Sequence, residues 1–244
     1  MNVELLLKYG PGLLEGLLVT FELVAISVVL GMTLAVPIAM ARLSRNAILG
    51  GVSFAYVYFF RGTPLLAQLF LIYYGAGQFV GPLKEIGLWW FFRDAFNCAV
   101  LAFALNTAAY EAEIFRGAVR SVPRGQWEAG TALGLHKLVL WRKVVMPQAA
   151  VVALRPLGND IILLIKASAV ASIVTVLDLM GETRLAFSRT YDLSFYLYAA
   201  VLYLILVETI RRLWNVLERR LTRHLRREVV VKKAVAADLA TATR

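Results

Sequence analysis

Apolar residues along this chain gather into five long runs separated by short polar stretches. The runs cover about residues 13–40, 53–74, 95–115, 151–174 and 193–210. Each approaches the roughly 20 residues that an α-helix needs to cross a hydrocarbon layer about 30 Å thick. The pattern predicts an all-α, polytopic membrane protein with five transmembrane helices. Residues 1–226 are expected to form one membrane domain, and 227–244 a basic, disordered tail. Composition supports this against a large soluble helical protein: 60% of the 244 residues are hydrophobic and 17% charged, where soluble domains average about 45–50% and 25%. The opening MNVELLLKYGPGLLEG carries Glu4 and Lys8 and no small-residue cleavage site. The first run is therefore expected to stay in the protein rather than leave as a signal peptide.

Five crossings place the two ends on opposite sides, and basic residues tell the sides apart. Segments 41–52, 116–150 and 211–244 hold two, six and ten Lys and Arg; segments 1–12, 75–94 and 173–192 hold one, two and two. The first set is thus expected in the cytoplasm with the C-terminus, and the N-terminus outside. The tail from Arg211 supplies much of the +10 net charge. A juxtamembrane helix held against anionic lipid accounts for it without nucleic acid.

Ionisable and amide side chains inside a span are costly and tend to face a bundle interior or a wet cavity. The fourth run has the densest set. Arg155, Asn159 and Lys166 are spaced by four and seven residues on one helical face, Asp160 is one step round, and Ser168 and Ser172 form a short polar row. Asn159, Asp160, Lys166 and Ser168 are candidates for a wet path, or for interhelical bonds that merely hold the bundle. Arg155 is close enough to the interface to snorkel. In the third run, Asn106 and Thr107 sit mid-span, and Asn106 joins the path candidates. Glu111 and Glu113 are expected to pair with nearby arginines. In the first run Glu22 is a candidate for a buried partner, and Thr20 and Ser27 for packing. Arg61-Gly62-Thr63-Pro64 in the second run predicts a bend near its cytoplasmic end, because the residue before proline avoids helical geometry; Gln68 follows one turn later.

Much chemistry is missing. There is no G-x-x-x-x-G-K-[ST] phosphate loop, no Ser/His/Asp arrangement and no metal-ligand spacing; H-x-E and C-x-x-C are absent. His136 and His224 are isolated and expected to face solvent. Cys98 is the single cysteine, so an intrachain disulfide is impossible, and it reads as a small core residue. No catalytic residue, cofactor or metal is called for. If the chain transports, it draws on an ion gradient or on a separate engine.

The stretch VPRGQWEAGTALGLHKLVLWRKVVMPQAA bears on that choice. Pro123 suits a helix start and Gly134 a C-terminal cap. A second helix is expected to halt before Pro147, with Leu138, Trp141 and Val145 as its apolar face. The first presents Trp127, Ala129 and Leu133 beside Glu128. Two helices too short and polar to cross a membrane suit a protein surface or a plain interfacial loop.

Here the residues carry a resemblance. Glu128-Ala129-Gly130, three residues, Gly134, nine residues and Val144-Val145-Met146-Pro147 resemble the EAA loop of ATP-binding-cassette (ABC) importer permeases, E-A-A-x3-G-x9-I-x-L-P. Gly130, Val144 and Met146 depart from the pattern; the spacing is intact. FRGTPLLAQLF, LNTAAYEAEIFRGAVRSVP and GNDIILLIKASAVAS are similar to the polar amino-acid uptake branch, most of all to the M-type subunit of histidine and opine importers, over about Leu13 to Arg226.

The resemblance implies a type I importer permease in a bacterial inner membrane. Its loop, with Glu128, Ala129, Gly130, Gly134 and Pro147, would dock on a separate ATPase. The implied partners are two ATPase copies, a homologous Q-type permease subunit, a periplasmic binding protein, membrane lipid and a small polar amino acid or opine. The N-terminus would be periplasmic. The runner-up is a gradient-driven amino-acid carrier or channel subunit, which has no use for the docking loop. A membrane enzyme lacks its cluster of acids, bases or metal ligands, and a scaffold has no need of Asp160 or Lys166 inside a span.

Overall fold

The computed structural model describes residues 3–222, and among these only helices and their connections occur. α1 (Val3–Leu43) runs unbroken through Pro11 and Pro37. α2 (Ala47–Gly62) starts at Asn46, whose side chain accepts from the N–H groups of Ile48 and Leu49. After Thr63-Pro64 come α3 (Leu65–Ala76), a 3₁₀ turn (Gly77–Phe79), α4 (Val80–Glu85) and α5 (Trp89–Phe92). α6 (Ala95–Arg120) is capped by Asp94, which accepts from the N–H of Asn97. α7 (Arg124–Ala132) and α8 (Lys137–Leu140) follow. A π turn (Trp141–Val145) then leads into α9 (Met146–Ala167) and a 3₁₀ segment (Ser168–Val174). α10 (Leu179–Thr190) and α11 (Ser194–Leu221) complete the described chain.

Among the described residues, four helical stretches are long and apolar enough to cross a membrane, and five if the bent pair 47–62 and 65–85 counts as one span. That pair turns by 103°. The expected bend is therefore present. A full 16-residue helix separates it from the 44–46 connection. The fourth apolar run is longer than its expected 151–174, because one helical path extends from Lys137 to Val174. The basic tail 227–244 and His224 lie outside the described residues.

α6 is the centre of the bundle. Ala99, Ala102, Ala104, Ala108, Ala109 and Ala112 are all buried, as is Cys98. Small side chains let neighbouring helices approach closely, and they are enriched at helix interfaces where lipid replaces water. α1 uses this along its length: a Cβ on Gly31 would lie 2.9 Å from Cγ2 of Thr107. At one end, Ala118 and Val119 of α6 and Val122 just beyond it pack with Val145, Ala149 and Ala153, against Leu43, Trp127 and Trp214. At the other, Leu13, Leu179, Ala186, Phe195 and Ala199 form a second core. Thr20 ties that end together by accepting from the N–H of Leu179 and donating to Gly16 O. Ser27 reaches Val100 O on α6 at 3.5 Å. Both are packing residues, as expected. Asp178 caps α10 through Gly181 N–H and accepts from Tyr203 Oη at 3.3 Å. Burial there pushes its carboxyl up to about 6, with those hydrogen bonds opposing the rise. Glu22 is exposed on α1, beside the buried Leu23 and Val24, and so is not the buried partner the sequence suggested.

Candidate functional site

The break between α2 and α3 creates a polar problem inside the bundle. Pro64 has no N–H, so the carbonyl of Phe60, four residues earlier, loses its helical donor. Gln68 and Asn106 replace it. Gln68 Nε2 lies 2.9 Å from Phe60 O, 3.1 Å from Thr63 O and 2.8 Å from Thr63 Oγ1. Asn106 Nδ2 on α6 donates to Phe60 O at 3.0 Å and to Gln68 Oε1 at 3.0 Å. Gln68 is 2% exposed. The bend is thus held by two amides from two helices.

Beside it opens a recess of about 280 Å³ between the break, α6 and α9, with Thr63, Pro64, Asn106, Thr107, Tyr110 and Asp160 in its lining. Asp160 is half-buried. The guanidinium of Arg61 lies over the Tyr110 ring, 5.1 Å from its centroid. Its positive charge bears on Asp160, yet the two form no ion pair. The recess therefore has a carboxylate and an amide in its lining and a cation over its Tyr110 wall, with no ion pair between the two charges. By contrast, a cavity of about 350 Å³ between α1, α9 and α11 is lined almost wholly by apolar side chains.

The five residues expected along a path separate into three groups. Asn106 and Asp160 meet at the recess. Asn159 and Lys166 are exposed and do not line it; with Val152 they lie on an outward face of α9. Ser168 is fully buried and donates to Ile165 O at 2.7 Å, tying α9 to its 3₁₀ extension. Arg61 and Gln68 stand behind the recess lining, against Tyr110 and Asn106, although the sequence marked them only as features of a bend. The available signal was the Pro64 carbonyl deficit, which calls for an amide nearby.

The two glutamates of α6 do not behave alike. Glu113 pairs with Arg42 at 3.1 Å and Arg116 at 2.6 Å, as expected. Glu111 pairs with nothing: it is fully buried, and neither carboxyl oxygen has a hydrogen-bond partner among the described residues. Residues two apart on a helix point in different directions, so the arginines that reach one miss the other. Arg155 is 80% exposed and reaches Glu218 of α11 at 2.7 Å.

The 124–147 stretch folds into two packed arms. α7 ends in a Schellman motif: Gly134, at φ +70°, donates to Thr131 O, and Leu135 donates to Gly130 O. The left-handed φ is why glycine suits this position. Trp127 and Trp141 join the arms, with ring centroids 5.8 Å apart. Gly130 is buried against Leu140, whose Cδ1 occupies the space a Cβ would need. The second arm does not halt before Pro147, contrary to the sequence expectation. In the π turn Met146 N–H donates to Trp141 O, five residues back, and the helix continues through Pro147 into α9. The extra residue shifts the register, so Leu140 and Val145 are buried while Leu138 is 65% exposed. Glu128, Ala129, Gly134 and Pro147 are exposed, and Leu133 is 79% exposed.

Known proteins resemble this chain in sequence and in fold. Residues 27–223 match the family model described as binding-protein-dependent transport system inner membrane component. The nopaline transport system permease protein NocM of Agrobacterium fabrum is 41% identical, over 94% of this chain and 95% of its own. The arginine ABC transporter permease protein ArtM of Haemophilus influenzae is 37% identical, over 91% and 97%. A chain from the crystal structure of an amino acid ABC transporter with histidines superposes with a TM-score of 0.79 at 33% identity, covering 90% of this chain and 99% of that one. The chain belongs to the inner-membrane components of binding-protein-dependent transport systems: it is a multi-pass permease subunit of an ABC importer.

Proposed function

We propose that this subunit passes polar amino acids or opines with a cationic, donor-rich end through the recess at the α2–α3 break. The observation that carries the reading is Asp160: a half-buried carboxylate beside a cavity, with no ion pair among the described residues, opposite a helix break held by amides. A half-buried anion without an ion pair is costly, and a cationic ligand in the recess supplies that pair. The nopaline and arginine permeases among its relatives fit this class.

The 124–147 loop is the docking surface for a separate ATPase, present in two copies. Glu128, Ala129, Leu133 and Leu138 are presented outward, while the Trp127–Trp141 and Gly130–Leu140 contacts make the two arms one body. Because the second arm is continuous with α9, a displacement of the loop reaches Asp160 through a single helix. Closure of the ATPase pair then shifts the population between access states. The basic end of the bundle, with the loop and the C-terminus, is cytoplasmic; the N-terminus and residues 173–192 face a periplasmic binding protein. The outward face of α9 with Asn159 and Lys166 lines the seam with a Q-type permease subunit, since these side chains are too polar for lipid.

An Asp160→Ala variant should lose most uptake while the ATPase still co-purifies in wild-type amount. Unchanged uptake sinks the assignment. Uptake by this chain without any ATPase would instead favour the gradient-driven carrier.

A further inference from the structure

The amide of Asn106 has two ends, and which end meets the recess decides what the recess can bind. The hydrogen bonds around the break settle the matter chemically. Phe60 O and Thr63 O are carbonyls and can only accept. Gln68 must therefore turn its nitrogen to them, which leaves Gln68 Oε1 as an acceptor facing α6. Asn106 meets two acceptors in turn, Gln68 Oε1 and Phe60 O, each at 3.0 Å, so its nitrogen must face the break. Both Asn106 donors are then occupied. Its Oδ1, which accepts no hydrogen bond among the described residues, is the polar atom it has left for the recess it lines.

We infer that Gln68 is a positioning residue for substrate selection: by fixing the Asn106 amide, it makes this wall of the recess an acceptor and tunes the site to donor-rich cationic groups. The inference rests on the recess being the substrate site. Asn106 Oδ1 and the Asp160 carboxylate then supply acceptors from α6 and α9, matching a guanidinium or other group with several N–H donors. A neutral isostere that turns a carbonyl toward the same wall meets acceptor with acceptor. Sites built this way reject the wrong partner because a desolvated polar group is left unpaired. Gln68 itself is buried behind Asn106 and absent from the recess lining. It acts through Asn106, not by touching the ligand.

The test is equilibrium binding of L-arginine and of L-citrulline, which has a urea in place of the guanidinium, to the purified membrane complex containing the full chain. Wild type should prefer arginine by about tenfold or more. Gln68→Met, similar in length but unable to orient an amide, should narrow that ratio to about twofold, mainly through weaker arginine binding. Asn106→Ala leaves Gln68 on Phe60 O and should narrow it as well, which keeps the test available if Gln68→Met fails to assemble. An unchanged ratio in either variant, or a wild-type complex that binds both ligands equally, overturns the inference. Asp160→Asn separates the levels. If it leaves arginine affinity unchanged, the recess is not the substrate site. If it weakens arginine while the ratio survives in both other variants, the recess stands and the role of Gln68 falls.

Discussion

Pro64 and Pro147 each remove an N–H from a helical ladder, and the chain answers them in opposite ways. At Pro64 the preceding Thr63 is extended, at φ −114° and ψ 148°, and the path turns by 103°. At Pro147 the preceding Met146 stays helical, at φ −61° and ψ −43°. There a π turn takes up the mismatch, with Met146 N–H reaching back to Trp141 O. The first solution exposes backbone carbonyls inside the bundle and needs Gln68 and Asn106 to satisfy them. The second keeps the ladder nearly intact, and Gln148 Nε2 adds a bond to Val144 O at 3.0 Å. A break holds a cavity open; a continuous helix conducts a displacement. The transport reading places the first at the recess and the second between the loop and that recess.

The largest effect should come from removing an amide at the break. Gln68→Leu takes one of two donors from Phe60 O and the side-chain donor from Thr63 O, costing about 1–3 kcal/mol for poorly satisfied buried groups. Thermal unfolding of the detergent-purified complex should show a clear drop in Tm, and spin-label distances between α2 and α3 should broaden. A Tm equal to wild type would mean that the bend does not depend on its amides, and the contrast with Pro147 would lose its basis.

Next is Gly130→Ala. Glycine in a helix interior suggests a loosened first arm, since it costs about 1 kcal/mol against alanine. The structure gives a packing reason instead, because the new Cβ would overlap Leu140 Cδ1. Overpacking of this kind costs about 1–3 kcal/mol, reduced here by the freedom of a leucine tip. Coupling of ATP hydrolysis to uptake should fall, and the double variant Gly130→Ala/Leu140→Ala should recover much of it. No recovery in the double variant would return the argument to backbone looseness. Gly134→Ala should cost about 1 kcal/mol, because alanine must take a left-handed φ. Its effect should stay within the loop, as weaker ATPase co-purification with unchanged arginine affinity.

The sequence foretold one proline better than the other for a physical reason. Gly62-Thr63-Pro64 combines a flexible residue with a pre-proline restriction, so a bend was legible. The π turn left no such mark: Leu138, Trp141 and Val145 keep the spacing of an ordinary helix, and only the inserted residue moves Leu138 outward. Five apolar runs were enough to anticipate the helical bundle. In the site, Asn106 and Asp160 were visible as polar residues in greasy runs. Arg61 and Gln68 were not, because their place depends on a 103° turn that composition does not encode. Glu111 and Glu113 looked equivalent beside the same arginines. The rotational phase of α6 against α1 separates them, and that phase is a packing outcome.

The smallest effect on stability should be Pro147→Ala, and it is the most informative about the contrast. The helix already passes through this position, so restoring an N–H should change stability by no more than about 0.5 kcal/mol. What alanine permits is loss of the π turn. An α-helical ladder from Lys137 into α9 would drop the extra residue and rotate the 137–140 arm by about 100° relative to Asp160. Leu138 would leave the exposed surface and Leu140 would leave Gly130. ATPase co-purification should then weaken while Tm holds. A Tm loss as large as that of Gln68→Leu, with docking intact, would make Pro147 a second structural break and remove the distinction between the helix that opens the recess and the helix that moves it.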